Sequence, residues 1–285
     1  MRARDTEDGV ILVNVLVTLA IASSLVVLML TSQDSLLDRA RRVSATAQAE
    51  ALALGAETSV LVALRRDMEA GPETDHYAEA WALASQQEVE LETGRFSVEI
   101  RDAHARLDLN GLAAGGIAQV QVLSRLIDEL ELPPETGPRI LTFLRDRGPA
   151  ASLEQIPGLD AVAIERLRPV ADVLPVPGKI NLNTADAQVI GAVLQSRTAA
   201  RRLVALRERN GGWVESGDVA ALGLIGAGVG LVSDLFDVTV RAEVDGMEVH
   251  LESRLQRRRG MGTREVVVIS RRFGPESGGI PTPDP

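Results

Sequence analysis

Residues 10–30, VILVNVLVTLAIASSLVVLML, carry no charge and are interrupted only by Asn14, Thr18 and the Ser23/Ser24 pair. A helix of that length measures ~30 Å at ~1.5 Å per residue, which matches the hydrocarbon layer of a bilayer. An apolar run so long is rare inside a soluble core, and the segment is expected to span a membrane. A cleavable secretory signal has a shorter apolar core, roughly 7–15 residues, followed by a small-residue exit site. No such exit follows Leu30, so the segment is expected to remain as an anchor.

Nine residues, MRARDTEDG, precede the span and end in Gly9. Beyond it, Leu36, Ala40, Val43, Ala47, Ala51, Leu54 and Leu61 recur at spacings of three, four and seven, which predicts an amphipathic stripe. No turn signal separates the two patterns, so one helix of more than 50 residues is expected, ending before Gly71-Pro72. Arg2 and Arg4 lie before the span and Arg39, Arg41 and Arg42 close after it, so charge alone leaves the orientation open.

The 285 residues leave room beyond the span for one large domain or two small ones. A net charge of −10 disfavours nucleic acid, whose affinity comes largely from neutralised phosphates. With no cysteine, disulfides and thiolate metal sites are excluded, and the compartment is left open.

After the long helix, a short helix is expected near Ala78–Ala84. The pattern then switches to period two. Phe96, Val98 and Ile100 form one half-buried strand, and Ala105, Leu107 and Leu109 a second, joined near Asp102–His104. Residues 119–234 read as helical, with helices over Val122–Leu130, Gly137–Asp146, Ala161–Leu167, Ala185–Leu194 and Thr198–Arg209. Asn183 or Thr184 is expected to cap the helix that starts at Ala185. Three strands follow: Phe236–Ala242, Val249–Ser253 after an Asp245-Gly246 turn, and Val266–Ile269, whose continuous apolar run suggests burial on both faces. The Pro- and Gly-rich tail, residues 275–285, has little to bury and is expected to be disordered.

A glycine directly before an apolar helix that runs on into a long amphipathic one resembles the type IV pilin and pseudopilin class. The resemblance implies cleavage after Gly9 by a prepilin peptidase and N-methylation of Val10. The fifth mature position, a glutamate in most of the class, is Asn14 here, a departure shared by the K-type minor subunit of type II secretion. FSVEIRDAHARLDLNGL (Phe96–Leu112) and INLNTA (Ile180–Ala185) are similar to K-family phrases, with Asp108 where that family has an asparagine.

The implied fold is α+β, a long N-terminal helix on a small antiparallel sheet with an inserted all-helical domain. Its parts are leader 1–9, span 10–30, helical continuation 31–70, pilin-like domain 71–110 and 235–274, and helical insert 111–234. The implied setting is the inner membrane with the bulk of the chain periplasmic. The implied role is non-enzymatic, at the tip of the pseudopilus with the I- and J-type minor subunits and the major pseudopilin. No cofactor is implied. The calcium-binding acidic loop of some relatives has no counterpart, since only Asp146 remains at that place and a hard cation needs roughly six oxygens.

A second reading stays open. Short helix-turn-helix units around Leu153–Leu159 and Gly178–Asp186 resemble helix-hairpin-helix modules, which grip phosphates through backbone amides. Arg197, Arg201, Arg202, Arg207 and Arg209 would supply the charge for a membrane-anchored DNA-uptake protein. Carboxylates crowd the same region, and aromatics for stacking are few. His76, His104 and His250 are scattered, Glu88/Glu90 has no fixed geometry, and the glycines of GLIGAGVG (Gly223–Gly230) do not fit a nucleotide loop.

Overall fold

The structure is a computed structural model that describes residues 4–113, 117–223, 228–260 and 263–274. Helix α1 (Arg4–Ala70) is continuous for 67 residues, about 100 Å at the standard rise. It stops at Gly71, whose N–H still bonds the Asp67 carbonyl and whose positive φ of 68° then turns the chain out of the helix.

The described side chains from Leu12 to Ser44 are all exposed, and contact with the rest of the chain begins at Ala45. From there the buried face is Ala45, Ala49, Ala53, Ala56, Val60, Leu64 and Met68. The predicted stripe lay on another face: Leu36, Ala40, Val43, Ala47 and Ala51 are exposed, while Leu54 and Leu61 flank the core half-buried. Alanines populate every face of this segment, so periodicity does not single one out. What selects the face is the close approach that small residues permit.

The sheet that receives α1 has the order β1 (Gln86–Leu91), β2 (Gly94–Asp102), β7 (Leu235–Val244), β8 (Met247–Gly260) and β9 (Thr263–Phe273), antiparallel throughout. Val98 lies opposite Val240 and Ile100 opposite Val238, although the insert separates them in sequence. Their α1-facing side chains join Trp81, Phe236, Leu251, Leu255 and Val266 in one core. The β7–β8 hairpin turns at Asp245 and Gly246, both at positive φ (48° and 74°), as the Asp-Gly signal predicted.

Between β2 and β7 the chain builds a second core. Helices α2 (Ile117–Glu129), α3 (Thr136–Arg147), α4 (Ala161–Leu167), α5 (Ala187–Leu194), α6 (Arg197–Arg209) and α7 (Ser216–Ala221) enclose it, and Leu126, Ile140, Leu167, Ile190 and Leu203 lie at its centre. Two short parallel pairs tie this bundle together: β3 (Leu107–Asp108) with β4 (Ala171–Asp172), and β5 (Ile180–Asn181) with β6 (Val229–Gly230).

Several expectations need correcting. The second strand, around Ala105–Leu109, is only the two-residue β3, and it leaves the main sheet. A tight 3-10 turn at Ala103–Ala105, capped by the Asp102 carboxylate on the His104 N–H, redirects the chain. The short helix near Ala78 shrinks to a 3-10 turn at Ala82–Ala84. Asp186, and neither Asn183 nor Thr184, caps α5 by accepting from the Val189 N–H. Within Val266–Ile269 only Val266 is buried, because β9 is an edge strand. Strand β1, the two short pairs and α7 were not anticipated. The tail 275–285 lies outside the described residues, as does the centre of the Gly223–Gly230 segment.

Candidate assembly site

Two features have functional geometry: the exposed stem of α1 and a buried polar junction that fixes the helical insert to the far end of the head. Gly9 and Val10, the residues singled out for processing, lie in the helical backbone near the start of α1.

The stem is held to the sheet by polar residues on its otherwise apolar face. Buried Glu57 accepts from Ser253 and from the Arg271 guanidinium, linking α1 to β8 and β9. Ten residues on, Asp67 accepts from Arg257 Nη2 at 2.6 Å. Ten helical residues rise ~15 Å, and the four strand residues from Ser253 to Arg257 rise ~13 Å. The two pairs therefore fix the axial register of α1 along β8.

Arg257 is fully buried, bonds Asp75 at 2.5 Å and lies over the Phe236 ring at 4.5 Å. Asp67, Asp75 and Glu79 bring carboxylate oxygens within 4.8 Å of one another, close enough to suggest a cation site. Arg257 already sits on two of the three as their counter-charge. Burial pushes the Glu79 carboxyl up to about 7, despite the bond it accepts from Trp81 Nε1 at 2.6 Å. An acid that keeps about half its protons at neutral pH, beside a paired guanidinium, is poorly suited to a metal.

At the junction, Asp102 is buried and accepts from Thr184 Oγ1 (2.5 Å), Ser233 Oγ (2.6 Å) and Asn181 Nδ2 (2.9 Å). Burial raises its carboxyl pKa against the pull of those hydroxyl bonds. Asn181 also donates to the Asp75 carbonyl, and the Ser233 N–H returns a bond to Asp75 Oδ2 at 2.7 Å. His104 is packed so tightly under Gly178 that a Cβ there would lie 2.2 Å from Nε2. A second cluster joins Arg106 and Arg254 to Asp172 and Asp237. Burial raises Asp237, but the two guanidinium groups outweigh it and hold the carboxyl below its usual range.

Asn110 and Asn183 serve as side-chain stand-ins for backbone. The Asn110 carboxamide accepts from the Ala150 N–H and donates to the Ala150 and Leu174 carbonyls. Asn183 pairs in the same two-point manner with the Val214 N–H (2.8 Å) and carbonyl (3.2 Å).

Residues 180–239, from the INLNTA phrase into β7, match the family model described as type II secretion system (T2SS), protein K. Over 98% of its length the chain is 26% identical to the type II secretion system protein K of Pseudomonas aeruginosa, covering 96% of that protein. The chain is similar to type II secretion system protein K.

In fold, it resembles a chain in the crystal structure of the GspK-GspI-GspJ complex from enterotoxigenic Escherichia coli. The TM-score is 0.67 at 22% identity, covering 84% of this chain and all of that one. The matched segment contains Asn181, Thr184 and Ser233, which bond Asp102 where the insert meets the head, and Asn183, which ties the insert to its own Val214.

Several of the features that suggested DNA take structural roles, while Arg201, Arg202 and Arg209 are exposed on α6. Arg139 of α3 lies against Gly158 and donates to its carbonyl at 3.3 Å, covering the hairpin on which a phosphate would rest. Arg207 turns inward to the Leu182 and Ala185 carbonyls, and Arg197 pairs with Glu129. His76 stacks on Trp213 with ring centroids 4.3 Å apart, a further contact between head and insert. Exposed Glu88 lies in β1 at positive φ, and His250 pairs with Glu248 on the strand surface. The open groove of about 1570 Å³ beside the sheet is lined by charges that pair with one another, among them Arg95–Glu243 and Arg168–Glu154. Asp146 is exposed and paired with Arg145.

Proposed function

We propose that this chain is a K-type minor pseudopilin, anchored in the inner membrane through residues 10–30, with its head in the periplasm. The prepilin peptidase cuts after Gly9 and Val10 becomes the methylated first residue. The reading rests above all on the order of parts, shared with protein K over nearly the whole of both chains. A stem exposed on every described face is what a helix needs if lipid surrounds it first and neighbouring subunits later.

The insert joins the head where α1 ends, at Asp75, Asn181 and Ser233, so it occupies the membrane-distal face on which a further subunit would stack. That placement supports a role at the tip, initiating or capping the pseudopilus without catalysis. The I- and J-type minor subunits are the proposed neighbours, as the composition of the E. coli complex suggests, with the major pseudopilin below. Nucleic acid has no part in it.

Because the chain has no cysteine, a single Val43→Cys variant carries one unique cross-linker on the exposed stem. In host membranes it is expected to capture the I- and J-type subunits. Capture of neither, in cells that secrete through the variant, overturns the reading.

A further inference from the structure

Between the end of the apolar run at Leu30 and first contact with the head at Ala45 lies a helical neck, and Asp34, Asp38, Arg39, Arg41 and Arg42 are its charged residues. Arg41 pairs with Asp38 at 3.4 Å. Arg39 and Arg42 are exposed, and neither has a carboxylate partner among the described residues. At ~100° per residue they stand about 60° apart on one side of the helix, Arg39 about 100° and Arg42 about 40° round from Asp38, whose carboxylate is taken by Arg41 on its other side.

Their height is equally specific. Arg39 lies nine residues beyond Leu30, ~13 Å along the axis. Helical side chains lean toward the N-terminus, and a long arginine stem reaches back about 6 Å. The guanidinium group of Arg39 therefore comes to ~7 Å from the hydrocarbon edge, the depth of the headgroup layer, with Arg42 one turn above. If the head is periplasmic, these arginines stand on the side of the span that the orienting bias of membrane proteins depletes of basic residues. A local electrostatic partner offsets that bias.

We infer that Arg39 and Arg42 form a binding site for anionic phospholipid headgroups at the foot of the stem, setting the depth at which α1 sits in the bilayer. The inference rests on residues 10–30 spanning the membrane. Two phosphate-facing guanidinium groups neutralise lipid charge at the surface, where each basic side chain typically favours anionic over neutral lipid about 5-fold.

The full chain, reconstituted in nanodiscs of equal phosphatidylglycerol and phosphatidylcholine, is extracted in mild detergent, and the lipids it retains are counted by native mass spectrometry. The wild type and an R2Q/R4Q variant are expected to retain at least a 5-fold excess of phosphatidylglycerol. R39Q/R42Q falls to near parity, and R39K/R42K keeps the excess. Parity in the wild type, or an undiminished excess in R39Q/R42Q, overturns the proposal while leaving the span intact. A chain that fails to enter the nanodisc overturns the span as well.

Discussion

A few buried polar side chains carry the structure's most specific information. Asn183 satisfies the peptide group of Val214 on both its donor and acceptor sides. Asn183→Ala leaves both partners buried and unpaired, a cost of about 2–3 kcal/mol, read as a fall of several degrees in the thermal midpoint of the detergent-solubilised chain. Asn183→Asp restores only the acceptor and remains destabilised. The sequence marked these asparagines as a phrase, but not what they do, because a helix cap was the nearest local partner in view and the true partner, Val214, is 31 residues away.

Glu79 offers a test in pH. Its folded-state pKa, about 7, lies above its unfolded value of 4.5. Its contribution is therefore fully present below about pH 4.5 and is lost as pH rises through 7. Between those limits the wild-type thermal midpoint carries a downward component that Glu79→Gln removes. An identical pH profile in the variant contradicts the assignment.

Among the elements, α1 was the most legible in extent and the least legible in rotation. Its length and its stop at Gly71 follow from an uninterrupted helical pattern and a left-handed glycine. Its buried face did not, since alanine is apolar enough to sit on any face and small enough to be chosen for closeness. The outcome separates two substitutions of the same chemistry. Ala49→Leu forces α1 away from the sheet and costs about 1–3 kcal/mol, whereas Ala47→Leu, exposed, stays within about 0.5 kcal/mol. Urea midpoints of the two variants decide between the observed face and the periodic one.

The strands were legible wherever period two coincided with a turn signal, as at Asp245-Gly246. They were misread at Ala105–Leu109, where the same alternation belongs to a tight turn and a two-residue bridge. There the Asp102 carboxylate, bonded to the backbone and to Thr184 and Ser233, decides where the sheet ends. No local pattern carries that information.

At the scale of the whole molecule, the protein is a stem, a sheet registered on it by Glu57 and Arg257, and a bundle clamped to the far end by a buried polar junction. Cutting the register changes how head and stem move together. Glu57→Ala leaves the buried Ser253 hydroxyl without its acceptor, a cost of about 1–3 kcal/mol, and frees the partly exposed Arg271 guanidinium into solvent. Faster amide exchange in β8 and β9 of the variant, relative to the bundle, is the expected result.

The order of these parts was readable from the chain, because a long apolar run, helical period and strand alternation each leave a local mark. The way the parts lock together was not, since it depends on side chains far apart in sequence. The central claim is that the apolar rod is processed to become a filament stem, and the mass of the N-terminal peptide of the chain purified from its host membrane tests it most directly. The account predicts a peptide that begins at N-methylated Val10, and a peptide that begins at an uncut Met1 would contradict it.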